Sequence, residues 1–156
     1  MSEVPGYNPD ARREVKKVDR IKLGDFDRDF FNSLEGENGW IALGQEYCTN
    51  QRYFTVFAED GTKVGIVGVY DTEDDQNITH TVIDPKYRGQ GLAAKCKDAL
   101  MNSLNLPFVT LTISLDNTPS LKAAEKLPGV QKVSDAKYEA DFHKAKFIFT
   151  RAEKNK

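Results

Sequence analysis

Residues 77–115 constrain the fold more than any other stretch of the chain. "NITHTVID" (77–84) is rich in β-branched residues, which suit the pleated surface of a strand. A loop, "PKYRGQG" (85–91), follows. Residues 92–104 then place Leu92, Cys96, Ala99, Leu100 and Leu104 on one helical face, opposite Lys95, Lys97, Asp98 and Asn102. "FVTLTISL" (108–115) alternates strictly, with Val109, Leu111, Ile113 and Leu115 to one side. Two strands joined through one helix by short loops form a crossover, and a crossover sets its strands parallel.

The flanks of this unit read mainly as antiparallel. "VKKVDRIKL" (15–23) is a candidate first strand, and "GDFDRDFFNSL" carries Phe26, Phe30, Phe31 and Leu34 at helical spacing. "GWIALGQEYC" suggests a second short helix through Trp40, Gly44 and Tyr47. "RYFTVFAEDGTKVGIVGVY" holds two β-rich runs around Asp60-Gly61, a hairpin signal. Thr118-Pro119 opens a further helix as cap and first residue, and Pro128-Gly129 ends it. Two strands at 130–135 and 144–151 close the chain. The order is β-α-α-β-β-β-α-β-α-β-β, an α/β (α+β) arrangement. It implies a mixed, mainly antiparallel sheet of about seven strands with about four helices. The 156 residues favour one domain, spanning 13–152, behind a flexible arm over 1–12.

Composition removes several function classes. The net charge of −2 offers no broad basic surface for nucleic acid. No apolar run approaches the roughly 20 residues of a membrane span, and the first residues lack the apolar core of a secretion signal. Cys48 and Cys96 fit no metal-ligand spacing, and Cys96 falls on the apolar helix face, so the expectation is free buried thiols in a reducing, cytoplasmic setting with no bound metal.

The loop at 85–91 admits three readings. Glycines at a helix start are often only a tight turn. "GQGLAA" also satisfies the dinucleotide pattern G-x-G-x-x-A, with Asp116 at the end of the next strand. That fold needs its first glycine at the strand end, whereas Pro85 to Arg88 intervene, and it needs more parallel strands than the tail supplies. A nucleotide P-loop is excluded because no Gly-Lys-Ser/Thr follows. The third reading uses the whole stretch: Arg88-Gly89-Gln90-Gly91-Leu92-Ala93 matches R/Q-x-x-G-x-G/A. It resembles the acetyl-CoA-binding signature of the GNAT (Gcn5-related) N-acetyltransferases, and the element order from about 15 to 151 is similar to theirs. "LDNTPSLKAAEKLPGV" resembles their downstream N-x-x-[AS]-x-x-x-x-E-K-x-G segment through Asn117, Ser120, Glu125 and Lys126, with Pro128 as an insertion before Gly129.

The resemblance implies a GNAT fold and acetyl-CoA as cosubstrate. Its pyrophosphate would lie on a helix N-terminus, where unpaired N–H groups and the helix dipole favour an anion. Arg88, Gly89, Gln90, Gly91, Leu92 and Ala93 would form that cradle. The pantetheine arm would lie between splayed fourth and fifth strands, against the backbone around Val82 and Ile83, with Asn117 facing the arm or serving as a plain turn residue. The implied reaction is attack by a primary amine, from a small molecule or from a peptide or protein, on the thioester. The charge run Asp71 to Asp75 hints at a cationic acceptor. A homodimer is among the assemblies allowed.

The family's usual proton carriers are missing. The position of its strand glutamate matches Asn77, and that of its helix tyrosine matches Ala124. Glu73 (with Asp74 and Asp75), His80 and Tyr138 are the substitute candidates, each against a bland alternative: a solvated turn, a packed core histidine and a rim tyrosine. A catalytically weak or inactive acyl-CoA-binding module that signals to a partner protein is the competing function.

Overall fold

The computed structural model describes residues 17–35 and 46–151. Twelve elements follow in chain order: β1 (Ile21–Gly24), α1 (Arg28–Glu35), β2 (Thr49–Ala58), β3 (Lys63–Asp71), β4 (Ile78–Ile83), a 3-10 turn (Pro85–Tyr87), α2 (Leu92–Leu104), β5 (Phe108–Ser114), α3 (Thr118–Glu125), β6 (Gln131–Lys132), α4 (Ala136–Phe142) and β7 (Lys144–Thr150). The strands form one sheet in the order β1-β2-β3-β4-β5-β7-β6. Every neighbouring pair is antiparallel except β4 and β5, as the crossover requires.

Alternation divides the sheet into two faces. Val67, Val69, Ile83, Val109, Leu111, Ala145, Phe147 and Phe149 point to one side and build the main core with Leu92, Cys96, Leu100 and Met101 of α2. On the other side Phe31, Tyr53 and Ile66 form a smaller cluster, which Phe26, Phe30, Leu34 and Tyr70 extend. Helix α2 packs on β1, β3, β4 and β5, α3 on β5, α1 on β3 and β4, and α4 on β7.

Several expectations shift. The first strand spans Ile21–Gly24, and residues 17–20 of the run expected to form it are in no regular element. The arm over 1–12 and most of the helix expected around Trp40 and Gly44 lie outside the described residues, and Tyr47 sits in an exposed turn. Asn117, not Thr118, is the N-cap of α3, since its Oδ1 accepts from the Ser120 N–H. Pro119 therefore falls one residue deeper in the first turn. The hairpin at Asp60-Gly61 forms as expected, with Gly61 in the left-handed region at φ 88°. Helix α4 replaces part of the expected loop between the last two strands.

Candidate functional site

The central pair of the sheet is barely a pair. Strands β4 and β5 share a single bridge, Ile78 to Thr110, and then diverge. Three further contacts pin that point. Thr110 N donates to Asn77 O (2.8 Å), Asn77 Nδ2 to Phe108 O (3.1 Å), and Thr110 Oγ1 to Gln76 O (2.9 Å). Asn77 adopts φ 57°, a left-handed conformation that asparagine tolerates, and so works as the fastening of the joint.

Register identifies the groups that line the resulting gap. Opposite residues in an antiparallel ladder alternate between hydrogen-bonded and non-bonded pairs. Asp84 N donates to Val64 O, so the bonded pairs on β4 include Val82 with Ile66 and His80 with Gly68. Thr79, Thr81 and Ile83 consequently turn their N–H and C=O groups toward β5. This corrects the expectation for Val82, whose backbone is committed to β3, and substitutes Thr81. The Thr81 hydroxyl is also buried and has no hydrogen-bond partner among the described residues. Ile83 also faces the gap, but its carbonyl accepts from Arg88 Nε at 2.8 Å. That bond holds the guanidinium at the open edge of β4, just beyond the last strand residue.

The glycine loop lies at the wide end of the gap. Asp84 caps the 3-10 turn by accepting from Lys86 N–H, and Tyr87 is buried beneath it. Gly89 (φ 87°) and Gly91 (φ 77°) both need the left-handed region, and a Cβ at either would have no neighbour within 4 Å. Glycine is there for backbone shape, with open space above it, and Gly91 is the N-cap of α2. Among the described residues nothing lies within 4 Å of a Cβ built at Gly89 or Gly91, beside the first N–H groups of that helix, so the loop fits an anionic group. Gln90 and Leu92 contribute only backbone. The Gln90 amide accepts from Val18 N–H and donates to Tyr87 O, and the Leu92 side chain is buried in the core. Asn117 stands opposite, at the start of α3; its Oδ1 is taken by the cap, and its Nδ2 donates no hydrogen bond among the described residues.

The candidate proton carriers fall on the α1 face of the sheet, or at its edge. His80 is half-buried there, one residue before Thr81. Glu73 and Asp74 are exposed in the turn between β3 and β4. The other carboxylates of that run are engaged. Asp71 accepts from the Asn77 N–H and from Asn50 Nδ2, and Asp75 Oδ1 lies 2.8 Å from Lys146 Nζ. Lys146 points to the Thr112 side of β7, and its ammonium sits over the Tyr138 ring, 4.8 Å from the centroid. Burial works against its charge, but the bond to Asp75 and the Asp75 charge outweigh burial and raise its pKa. Tyr138 thus belongs to an Asp75–Lys146–Tyr138 bridge that spans β5, and its ring also packs on Phe142. Ala124 is almost wholly buried against the core, so no pocket exists there for a tyrosine ring.

Lys97 corrects another expectation. It was placed on the solvated face of α2 with Lys95, yet it is only 8% exposed, with Nζ 3.4 Å from Ala93 O. The buried stripe of α2 is wider than the apolar residues alone suggest, and position 97 lies between Cys96 and Met101 on its flank. Burial lowers the Lys97 pKa, opposed by the nearby Cys96 and Asp98 charges. Both described cysteines are free and buried, and burial pushes the Cys96 thiol up to about 12. Among the described residues no group of His, Cys, Asp and Glu gathers as a metal site, and no helix is long and apolar enough to cross a membrane.

Comparison with known proteins agrees with this geometry. Residues 13–129 match the family model described as an acetyltransferase (GNAT) domain. No curated protein sequence matches the chain. A chimera of the Vibrio cholerae spermidine N-acetyltransferase SpeG with hSSAT superposes with a TM-score of 0.58 at 14% identity, over 85% of this chain and 96% of the other. A protein assigned to the GNAT-family acetyltransferases from Bordetella pertussis gives 0.57 at 21% identity, over 90% and 100%. A protein assigned as an acyl-CoA N-acyltransferase from Klebsiella pneumoniae gives 0.59 at 17%, over 85% and 97%. At these identities the likeness is one of fold.

Proposed function

The chain belongs to the GNAT acetyltransferases, and from that premise we propose that it transfers the acetyl group of acetyl-CoA to a primary amine, a small cationic polyamine being the acceptor class to test first. The observation that carries the reading is the break between β4 and β5 after one bridge, beside a glycine loop with open space above it. In this reading the helix N-terminus at Gly91, Leu92 and Ala93, with Gly89 and the Arg88 guanidinium, receives the pyrophosphate. The gap-facing backbone groups of Thr81 and the Ile83 N–H receive the pantetheine arm as an added strand would, and the Asn117 amide faces it from α3. The spermidine enzymes among the structural relatives support the polyamine class, as do the exposed Glu73 and Asp74. The buried free thiols support a reducing compartment such as the cytoplasm.

The chemistry needs a neutral amine. An alkylammonium of pKa about 10.4 is roughly one part in a thousand neutral at pH 7, so a positioned base contributes. Among the candidates His80 is best placed. It neighbours the gap-lining Thr79 and Thr81, whereas Asp75 is held by Lys146 and Tyr138 lies beneath that lysine. His80 takes the ammonium proton, the neutral amine nitrogen bonds to the thioester carbon, and the carbon–sulfur bond breaks to release the CoA thiolate, while the nitrogen gives up its surplus proton, which balances the protonation of the thiolate. A second reading keeps a specific observation behind it: Asn77 is a fastening and Ala124 is core, so both usual proton carriers are absent, as in a module that only binds acyl-CoA. A thiol-release assay with acetyl-CoA against spermidine, simple monoamines, lysine and peptide N-termini separates the two. Release with a cationic amine supports the transferase. CoA binding with no release from any amine supports the binding module.

A further inference from the structure

Tyr53 is 8% exposed, and its hydroxyl is buried without a hydrogen-bond partner among the described residues. A buried tyrosine hydroxyl without a partner is destabilising relative to a satisfied one, and phenylalanine would fill the same space without that cost. The surroundings point to a use for it. Tyr53 on β2 stands opposite Gly68 on β3, and Gly68 stands opposite His80 on β4, so the three form one row on one face. A Cβ at Gly68 would lie 2.1 Å from Tyr53 Cδ2 and 2.3 Å from Cε2. The ring therefore lies over the middle strand, in space that only glycine leaves open, along the row toward His80. The His80 Nε2 is buried on the same face.

We propose that the Tyr53 hydroxyl, which is not bonded to His80 Nε2 in the free structure, closes onto the His80 imidazole when the acceptor enters and helps to orient it beside the β4–β5 gap, which makes Tyr53 a positioning residue for the acceptor side of the site. The inference rests on the reading of His80 as the base. Hydrogen bonds of this kind are often long in the free protein and close when substrate arrives. Tyr53 stays protonated throughout the working range, because burial first, and then the Tyr70 and Cys48 charges, raise its pKa. Among the described residues the other titratable groups near this row are Tyr70 of β3, pushed up to about 12 chiefly by burial, the buried Cys48 thiol, and Lys146 with Asp75 across β5. None of these shares the row of Tyr53 and His80.

The chain has two histidines, and the exposed His143, paired to Asp116 at 3.1 Å, provides an internal control. Histidine NMR titrations of the full chain with CoA and spermidine bound, with His80→Gln to assign the resonance, would compare wild type with Tyr53→Phe and Gly68→Ala. The first substitution removes the hydroxyl, and the second forces the ring off the row. The expected result is a His80 midpoint displaced by about half a pH unit or more, with an altered tautomer signature, in both variants, while His143 does not move. In Tyr53→Phe, kcat with the best amine should fall about tenfold or more, with acetyl-CoA affinity and melting temperature held or raised. An unchanged His80 midpoint and tautomer in Tyr53→Phe overturns the inference. Full activity in His80→Gln would instead remove the base reading and leave the titration result standing, so the two failures are distinguishable.

Discussion

Gly61 and Gly91 make a matched pair for testing the phosphate cradle. Both sit in the left-handed region, at φ 88° and 77°, and a Cβ at either would meet nothing within 4 Å. Alanine at either position carries the same kind of cost: an L-residue in that conformation is disfavoured by about 1–2 kcal/mol. The reduced freedom of the unfolded chain offsets about 0.4–1 kcal/mol of it. The net loss should be about 1 kcal/mol for each variant, or about 2–4 °C in melting temperature for a domain of this size. The two differ only in what approaches them. Gly61 is at the tip of the β2–β3 hairpin, while Gly91 opens α2 at the end of the gap. Gly91→Ala should therefore also weaken CoA by at least about tenfold, equivalent to about 1.4 kcal/mol, and Gly61→Ala should leave CoA affinity unchanged. Thermal melts combined with calorimetric CoA titrations read both quantities. Wild-type CoA affinity in Gly91→Ala, at the same stability loss as Gly61→Ala, would refute the assignment of the cradle.

The two inward lysines should bend the pH dependence of stability in opposite directions. For Lys97 the folded pKa is lowered, so the unfolded chain binds more protons between the two values, and stability rises with pH through that alkaline window; Lys97→Met should flatten this rise and stabilise the protein at neutral pH, as urea titrations at pH 7 and 10 would report. For Lys146 the folded pKa is raised, so its contribution is complete below the unfolded value and fades as pH climbs through the folded one. Lys146→Met leaves the half-buried Asp75 without its partner and should cost about 1–3 kcal/mol at pH 7. A double-mutant cycle with Asp75→Asn should recover a coupling, and additive losses would mean the ion pair contributes nothing.

What the sequence revealed was local. Helix α2 and the Asp60-Gly61 hairpin were legible because a stripe and a turn dipeptide are complete within a dozen residues. The glycine loop was legible for the same reason, since both its left-handed residues are glycines. Helix α4 left no such trace: it is seven residues long and buries none of them, so it has no apolar stripe to read. Alternation along β4 told which side of the sheet a side chain takes, but not toward which neighbouring strand a backbone group turns. That depends on the register with β3, which commits the Val82 backbone to β3 and turns that of Thr81 toward β5. The Asp75–Lys146 contact joins residues 71 apart, and neither end signals the other. Lys97 misled because charge was read as exposure, although a long aliphatic stem can lie within a buried flank.

The single bridge at Ile78 and Thr110 also has a mechanical meaning. Strands β1 to β4 form one continuous ladder, and β5, β7 and β6 form another. The two plates meet at a fastening near one end, reinforced by Asn77, Thr110 and the Lys146–Asp75 clasp. A sheet usually yields first at its outer strands. Here the seam of least resistance runs through the middle, and a ligand laid along it would act as a rivet that makes two plates move as one.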